Sequence, residues 1–476
     1  MTLWSAQDAA DATGGQAFGA WCASGISIDT RSLQPGDLFV ALTAARDGHD
    51  FVGQALEKGA VAAMVSHRPE TLPEDAPLLV VPDVLAGLTA LGAAGRARTK
   101  ARVVAVTGSV GKTSTKEMLR EMLSAFGKTH ASPASFNNHW GVPITLACLD
   151  PEAAFAVVEI GMNHPGEIEP LARLTRPHVA MITTIAAAHL EAFENIDAIA
   201  HEKASIFKGL EPESHAVFPC DLPSSPILEQ AARAADAQLW SFGKTGGAAR
   251  LHDMNQTEAA LVMRAQLGED LVAVRLAHAG AHFGANALGC LAAARALGLD
   301  VVRASMALGR WHPPAGRGAR ETILLDTVEN LSFTLIDDAF NANPTSLQAA
   351  LEMLAQLPRG QGQTGRPGRR IAILGDMLEL GPDEIDMHEA VATYPALAHV
   401  DLVHCVGPRM AALYDKLPER QRGRVASNAD DLAEIAHRLA SPGDIVLVKG
   451  SKSSLVSRVV DGLRNLAPAP RTSEGN

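Results

Sequence analysis

The sequence has too few cysteines, too widely scattered, for a disulfide framework or a zinc ribbon. Five are present, at 22, 148, 220, 290 and 405, with no Cys-x-x-Cys pair among them. A reducing compartment is the default for such a chain, so a cytoplasmic location is expected. Long apolar runs are also missing. None approaches the ~18 residues that would span a bilayer. Met1 to Gly15 lacks the basic stretch and apolar core of a signal peptide, so membrane insertion is not expected. Basic residues are in deficit: 41 Lys and Arg against 53 Asp and Glu give a net charge of −12. That disfavours nucleic acid and anionic membrane as partners. It does not disfavour a small anionic ligand, which a few local glycines and lysines suffice to hold. No internal repeat is visible. At 476 residues the chain should form two to four domains, each with its own core.

What is present centres on residues 103–114, Val-Val-Ala-Val-Thr-Gly-Ser-Val-Gly-Lys-Thr-Ser. A β-branched run ends in glycines, then Lys112-Thr113-Ser114, then an amphipathic stretch to Phe126. The pattern predicts a strand, a phosphate loop and a helix. Glycines admit backbone N–H groups close to a phosphate, and a helix N-terminus adds partial positive charge. Gly108, Ser109, Val110 and Gly111 would form the cradle. Lys112 would reach the β- and γ-phosphates, and the Thr113 or Ser114 hydroxyl would meet Mg²⁺. Val106 stands where the general G-x-x-x-x-G-K-[ST] pattern has its first glycine. A plain structural turn is the bland alternative.

Residues 1 to about 85 read as a first unit, with short strands at 26–29, 37–42, 62–65 and 78–81 and a helix over 51–58. A helical stretch over 84–100 leads to the loop. From there to about 325, strands and helices alternate, which implies an α/β domain on a mostly parallel sheet. Strands are expected at 155–159, 179–183 and 216–218, and helices at 198–208 and 286–297. A third unit begins near Thr327, with a strand over 333–337 and a helix over 345–357. A Gly/Arg/Pro/Gln loop over 358–369 resembles a linker. Strands at 371–374, 402–406 and 445–448 follow, and the tail after Leu466 is expected to be disordered.

Polar residues at the ends of these strands are candidate ligands, because parallel sheets bind there. Glu159 is placed to hold Mg²⁺, a cation that prefers oxygen; a charge at a helix N-terminus is the alternative. His189 follows the strand near 181–184 and is either a ligand or a structural histidine. Lys203 lies on a predicted helix and is either functional or part of a solvated face. Arg317, between Gly316 and Gly318, carries a fork suited to phosphate or is an ordinary surface arginine. Asp337-Asp338-Ala-Phe-Asn-Ala-Asn-Pro344 is polar enough at a strand end to need a ligand or a capping network.

Taken together, these segments resemble the Mur ligases, the ATP-dependent amide-forming enzymes of peptidoglycan precursor synthesis. The resemblance spans nearly the whole chain. It rests on Asp29-Thr30-Arg31, Pro35 to Leu42, Asp47 to Phe51, Thr107 to Thr113, Phe136 to Pro143 and Glu159 to Asn163. It continues through Ala188 to Glu191, Lys203, Asn286 to Leu288, Asp337 to Pro344, Gly375 to Gly381 with His388, and Lys449 to Ser451. The Asn137-Asn138, Asp337–Pro344 and Gly375–Gly381 segments point to the dipeptide-adding branch.

The resemblance implies a three-domain architecture: an N-terminal domain for the UDP end (1–85), a central P-loop ATPase (86–325) and a C-terminal Rossmann-like domain (326–476). It implies ATP and Mg²⁺ as cofactors. The implied substrates are UDP-N-acetylmuramoyl-tripeptide and D-alanyl-D-alanine, and a monomer is expected. By position, Thr30 and Arg31 would hold the uridine diphosphate, and Asn137 and Asn138 would face the sugar-peptide. Thr113, Glu159, His189 and a carbamylated Lys203 would hold the metal. Asn286 would lie near the adenine, Arg317 near the phosphates and Asp338 near the nucleoside. Lys112, Lys203, His189 and Arg317 form the implied catalytic set. Phe340 stands where the family usually has Tyr, so the hydroxyl is lost while stacking survives. The rival functions are a Mur-type ligase adding a single amino acid and a P-loop phosphotransferase.

Overall fold

The computed structural model describes residues 2–257, 260–362 and 365–467. The tail beyond Ala467 lies outside the described residues, as do two residues of the 358–369 loop. Three large sheets follow one another along the chain among the described residues, and a two-stranded ribbon pairs Trp4–Ser5 with Cys22–Ala23 near the N-terminus. Among the described residues no helix is long and apolar enough to cross a membrane.

The first sheet has five strands in the order Gln16–Phe18, Leu78–Val80, Ala62–Val65, Asp37–Val40, Gly25–Ser27, parallel except for the first. Ala62–Val65 is buried at every position, so a continuous apolar run rather than alternation marks it as a strand. The helix Val84–Ala97 adds Val84, Leu88 and Leu91 to this domain's core. Its glycine face meets the helix Gly141–Ala147 of the next domain. A Cβ on Gly95 would stand 2.2 Å from the Leu146 carbonyl oxygen, and one on Gly92 3.0 Å from Pro143. The expected boundary at 85 therefore falls inside a helix that both domains share.

The central sheet has nine strands. Arg102–Thr107 lies between Val179–Ile182 and Phe155–Glu159, parallel to both. Beyond His215–Pro219 and Gln238–Gly243, the sheet continues through Ala249–Gln256, Leu261–Leu267 and Asp270–Leu276, paired antiparallel with one another. These three strands were not foreseen from the sequence. Leu261–Leu267 alternates buried and accessible positions, as a sheet with one wet face requires. The helix Ala281–Ala296 is buried along nearly its whole length against them.

The third sheet has the order Ala319–Asp326, Leu331–Asp338, Ile445–Lys449, Arg370–Gly375, Leu402–Val406, Arg422–Ala426; its first pair is antiparallel and the rest are parallel. Ala319–Asp326 pairs with Leu331–Asp338 along its whole length. The C-terminal sheet thus starts at 319, ahead of the expected boundary at 325. The loop over 358–369 is no linker. It is pinned within this domain, where Gly360 N–H donates to the Gly443 carbonyl at 3.1 Å.

Candidate active site

The phosphate loop is built by strain that only glycine tolerates. Gly108 has φ 151° and Gly111 φ 85°. A Cβ on Gly108 would lie 1.9 Å from Thr183 Oγ1. That hydroxyl donates to the Val110 carbonyl at 2.6 Å. Ser109 is locked from both sides, donating from Oγ to the Ala186 carbonyl and accepting from Ala186 N–H, each at 3.0 Å. The loop is therefore preformed against the segment that follows Val179–Ile182. The helix Lys112–Ser124 starts directly after it.

Lys112 Nζ donates to the Gly108 carbonyl at 2.8 Å, folding the ammonium over the cradle. Burial lowers its pKa; Glu159 opposes this and Arg317 adds to it. Lys116, one helical turn on, is fully buried. It donates to the carbonyls of Ser132 at 2.7 Å and Ala134 at 3.1 Å, so it tethers the loop that carries Ser135, Asn137 and Asn138. This role is not legible from Lys116 and its sequence neighbours.

Glu159 ends its strand fully buried. One carboxylate oxygen accepts from Thr113 Oγ1 at 3.1 Å, Ser135 Oγ at 3.0 Å and Asn137 Nδ2 at 2.7 Å. The other, Oε2, is buried without a partner. A buried carboxylate oxygen left bare is costly unless a cation meets it. Lys203 shows the same imbalance. It is completely buried on the helix Ile196–Ala204, and Nζ has no partner. Burial first, and then the nearby Lys112, drive its pKa well below the usual range. These two orphaned groups fit a metal site in which Lys203 is modified to an anion. Among the described residues no cluster of three His, Cys, Asp or Glu stands ready for a metal.

His189, with φ 59°, pairs through Nδ1 with Glu379 Oε2 of the C-terminal domain at 2.6 Å. Arg317 stacks its guanidinium 4.3 Å from the centre of the Phe340 ring. Lys449 Nζ reaches Asp338 at 2.8 Å and the Asn341 carbonyl at 2.9 Å. Burial pushes the Asp338 carboxyl up more than Lys449 draws it down.

One cavity of about 700 Å³ lies between the carboxyl edges of the central and C-terminal sheets. It brings together Ser109 to Ser114, Asn137, Asn138, Glu159, His189, Asn286, Arg317 and Asp338. Asn286 supplies its wall at Gly111, where a Cβ would lie 2.9 Å from the amide. Lys203 is not among the residues that line the cavity. Thr30 and Arg31 stand apart on the N-terminal domain. Thr30 Oγ1 donates to Gln54 at 2.8 Å, and Arg31 forks onto Asp29. Of the adjacent asparagines, Asn137 commits its amide nitrogen to Glu159. Asn138 Oδ1 accepts from Trp140 N–H and Gly141 N–H, at 3.2 and 2.9 Å, at the start of Gly141–Ala147.

Family models match along the chain: the Mur ligase family catalytic domain over 23–126, the Mur ligase middle domain over 106–294 and the Mur ligase glutamate ligase domain over 325–452. The UDP-N-acetylmuramoyl-tripeptide–D-alanyl-D-alanine ligase of Escherichia coli K12 is 36% identical, over 92% of this chain and 93% of its own. The enzyme of that name from Rickettsia prowazekii is 30% identical, over 96% of this chain and 99% of its own. A crystal structure of MurF from Acinetobacter baumannii superposes with a TM-score of 0.82 at 29% identity, over 97% of this chain and 99% of that one. MurF from Thermotoga maritima in complex with ADP gives 0.76 at 25% identity, over 93% and 97%. With a preformed phosphate cradle between two sheet edges and matches over all three domains, the chain belongs to the Mur ligase family, on the branch of the UDP-N-acetylmuramoyl-tripeptide–D-alanyl-D-alanine ligases.

Proposed function

We propose that this chain joins D-alanyl-D-alanine to UDP-N-acetylmuramoyl-tripeptide at the expense of ATP, as a cytoplasmic monomer. The observation that carries the chemistry is the set Lys112, Glu159 and Lys203, a phosphate cradle together with two buried atoms, Glu159 Oε2 and Lys203 Nζ, that lack partners. A carboxylate does not acylate an amine at neutral pH without activation. The tripeptide carboxylate oxygen attacks the γ-phosphorus, ADP departs, and an acyl phosphate forms. The dipeptide amine then attacks the acyl carbon; phosphate leaves and the nitrogen gives up a proton. Lys112 and Arg317 are placed to counter the charge on the transferring phosphoryl group. Mg²⁺, held by Thr113, Glu159, His189 and carbamylated Lys203, would neutralise charge on the β- and γ-phosphate oxygens. Arg317 and Phe340, from the C-terminal side, help to exclude water from the acyl phosphate. Thr30 and Arg31 take the uridine diphosphate, and Asn138 and Asn286 take the sugar-peptide and adenine.

The test is ADP release against a panel of UDP-muramoyl peptides and amine acceptors. Release should require the tripeptide and the dipeptide together. Release driven by a single amino acid would assign another Mur-type activity, and a stable phosphorylated product without an amine would assign a phosphotransferase.

A further inference from the structure

We infer that Glu379 of the C-terminal domain is a positioning residue for His189 of the central domain, so that the histidine becomes a competent metal ligand only while the two domains are docked. The inference rests on the proposed function in one respect, that His189 faces the metal.

The two residues meet side chain to side chain at 2.6 Å, Glu379 Oε2 against His189 Nδ1. Both are non-glycine residues in the left-handed region, with φ 59° at His189 and 65° at Glu379. Such a conformation costs about 1 kcal/mol or more at each residue and persists where the surroundings hold it. The backbones close on one another as well. Glu191 N–H donates to the Glu379 carbonyl at 3.4 Å. A Cβ on Gly381 (φ 78°) would stand 3.3 Å from the Leu190 carbonyl oxygen. The contact is thus a tight meeting of 189–191 with 379–381, on loops that belong to different sheets.

Its chemical consequence lies in the imidazole. A carboxylate at Nδ1 holds the proton there, which leaves the lone pair on Nε2. That is the form in which histidine binds a metal, and an accepting carboxylate also fixes the ring's direction. Nδ1 is occupied, so Nε2 is the nitrogen left for the cavity that His189 lines. The carboxylate arrives from the other side of the cleft. When the C-terminal domain swings away, the ring loses its tautomer and its orientation together.

Mn²⁺ is a spectroscopic stand-in for Mg²⁺, and its binding to the full chain in the presence of ADP can be titrated by electron paramagnetic resonance. Glu379→Ala should weaken Mn²⁺ binding about 10- to 100-fold. Glu379→Gln should weaken it less, because its amide oxygen still accepts from Nδ1–H. In a His189→Ala background, Glu379→Ala should add nothing. Amide exchange over 189–194 should quicken in metal-free Glu379→Ala. Mn²⁺ affinity unchanged or tightened in Glu379→Ala would overturn the inference; tightening would mean that the carboxylate withholds the ring. So would an equal weakening with or without His189, or unaltered exchange over 189–194. This Mn²⁺ pattern among the variants, together with a wild type that fails the ADP-release panel, would sink the proposed reaction and leave this inference standing.

Discussion

At the scale of single residues, the site is decided by which atoms are left over. Glu159 Oε1 is saturated by three donors, and Oε2 is bare. If Glu159 holds the metal as proposed, Asn137 and Ser135 act on it through the carboxylate, by fixing which oxygen it offers. Asn137→Ala and Ser135→Ala should each raise the Mg²⁺ concentration for half-maximal activity about tenfold or more, with the KM for the UDP substrate little changed. A selective rise in that KM would return Asn137 to the substrate contacts expected from sequence. Lys203 poses the opposite problem, a buried amine with no acceptor. Its lowered pKa supplies the neutral amine. In the carbamate proposed above, nitrogen attack on CO₂ with loss of a proton would give an anion with two oxygens for a hard cation. Lys203→Arg should accordingly fail about as badly as Lys203→Ala, and short carboxylic acids should partly restore the alanine variant. Full activity in Lys203→Arg would dispose of the carbamate. The Gly-Lys-Thr of the loop was legible because its function is local in sequence. The collar on Glu159 was not, since Thr113, Ser135, Asn137 and Glu159 come from separate elements that only the folded sheet brings together.

At the scale of elements, the strands fully buried on both faces were the most legible. Ala62–Val65, Phe155–Glu159 and Leu402–Val406 fall where their apolar runs place them. The antiparallel strands from Ala249 to Leu276 were missed, because half their residues face water and no helix separates them. The loop itself is an element whose glycines can be tested. Gly108→Ala puts a Cβ against Thr183 Oγ1 and a side chain at φ 151°. It should destabilise the fold by about 1–3 kcal/mol and lower ADP affinity, read by calorimetric titration; unchanged affinity in a folded variant would mean the cradle is not preformed. A second test lies in the C-terminal sheet. His404 Nδ1 accepts from Arg424 N–H at 3.0 Å where Leu402–Val406 meets Arg422–Ala426. Burial pushes its pKa down to about 4 from 6.5, so the fold holds the neutral ring. Between pH 6.5 and 4 the unfolded chain binds this proton more readily. The stability His404 contributes is whole above 6.5 and drains away as the pH falls to about 4, by at most about 3 kcal/mol. The wild type should lose stability more steeply across that interval than His404→Asn, measured by urea unfolding, and parallel slopes would contradict the assignment.

At the scale of the whole molecule, the resemblance made three domains legible, but not where they join. The chain passes from the central to the C-terminal domain at Gly316-Arg317-Gly318, and this junction is part of the site. Gly316 N–H donates to Asp337 Oδ2 at 3.0 Å, and Gly318 N–H to the Asp337 carbonyl at 2.8 Å. Phe340 N–H returns a bond to the Gly316 carbonyl at 3.1 Å, and its ring carries the Arg317 guanidinium. Arg317 is thus fixed by the C-terminal sheet, while Lys112 is fixed by the central one. The two cations line one cavity. If Arg317 serves the transferring phosphoryl group, both its planar fork and its seat on Phe340 matter, and a lysine supplies neither. Arg317→Lys should therefore lower kcat about 100-fold or more while ADP binds within a few-fold of wild type. Phe340→Leu should reproduce part of that loss, and Phe340→Tyr little of it. Single-turnover phosphoryl transfer, measured beside calorimetric ADP binding, separates the two effects. Wild-type transfer in Arg317→Lys would make the residue a strut of the junction and leave Lys112 as the cation that meets the phosphate.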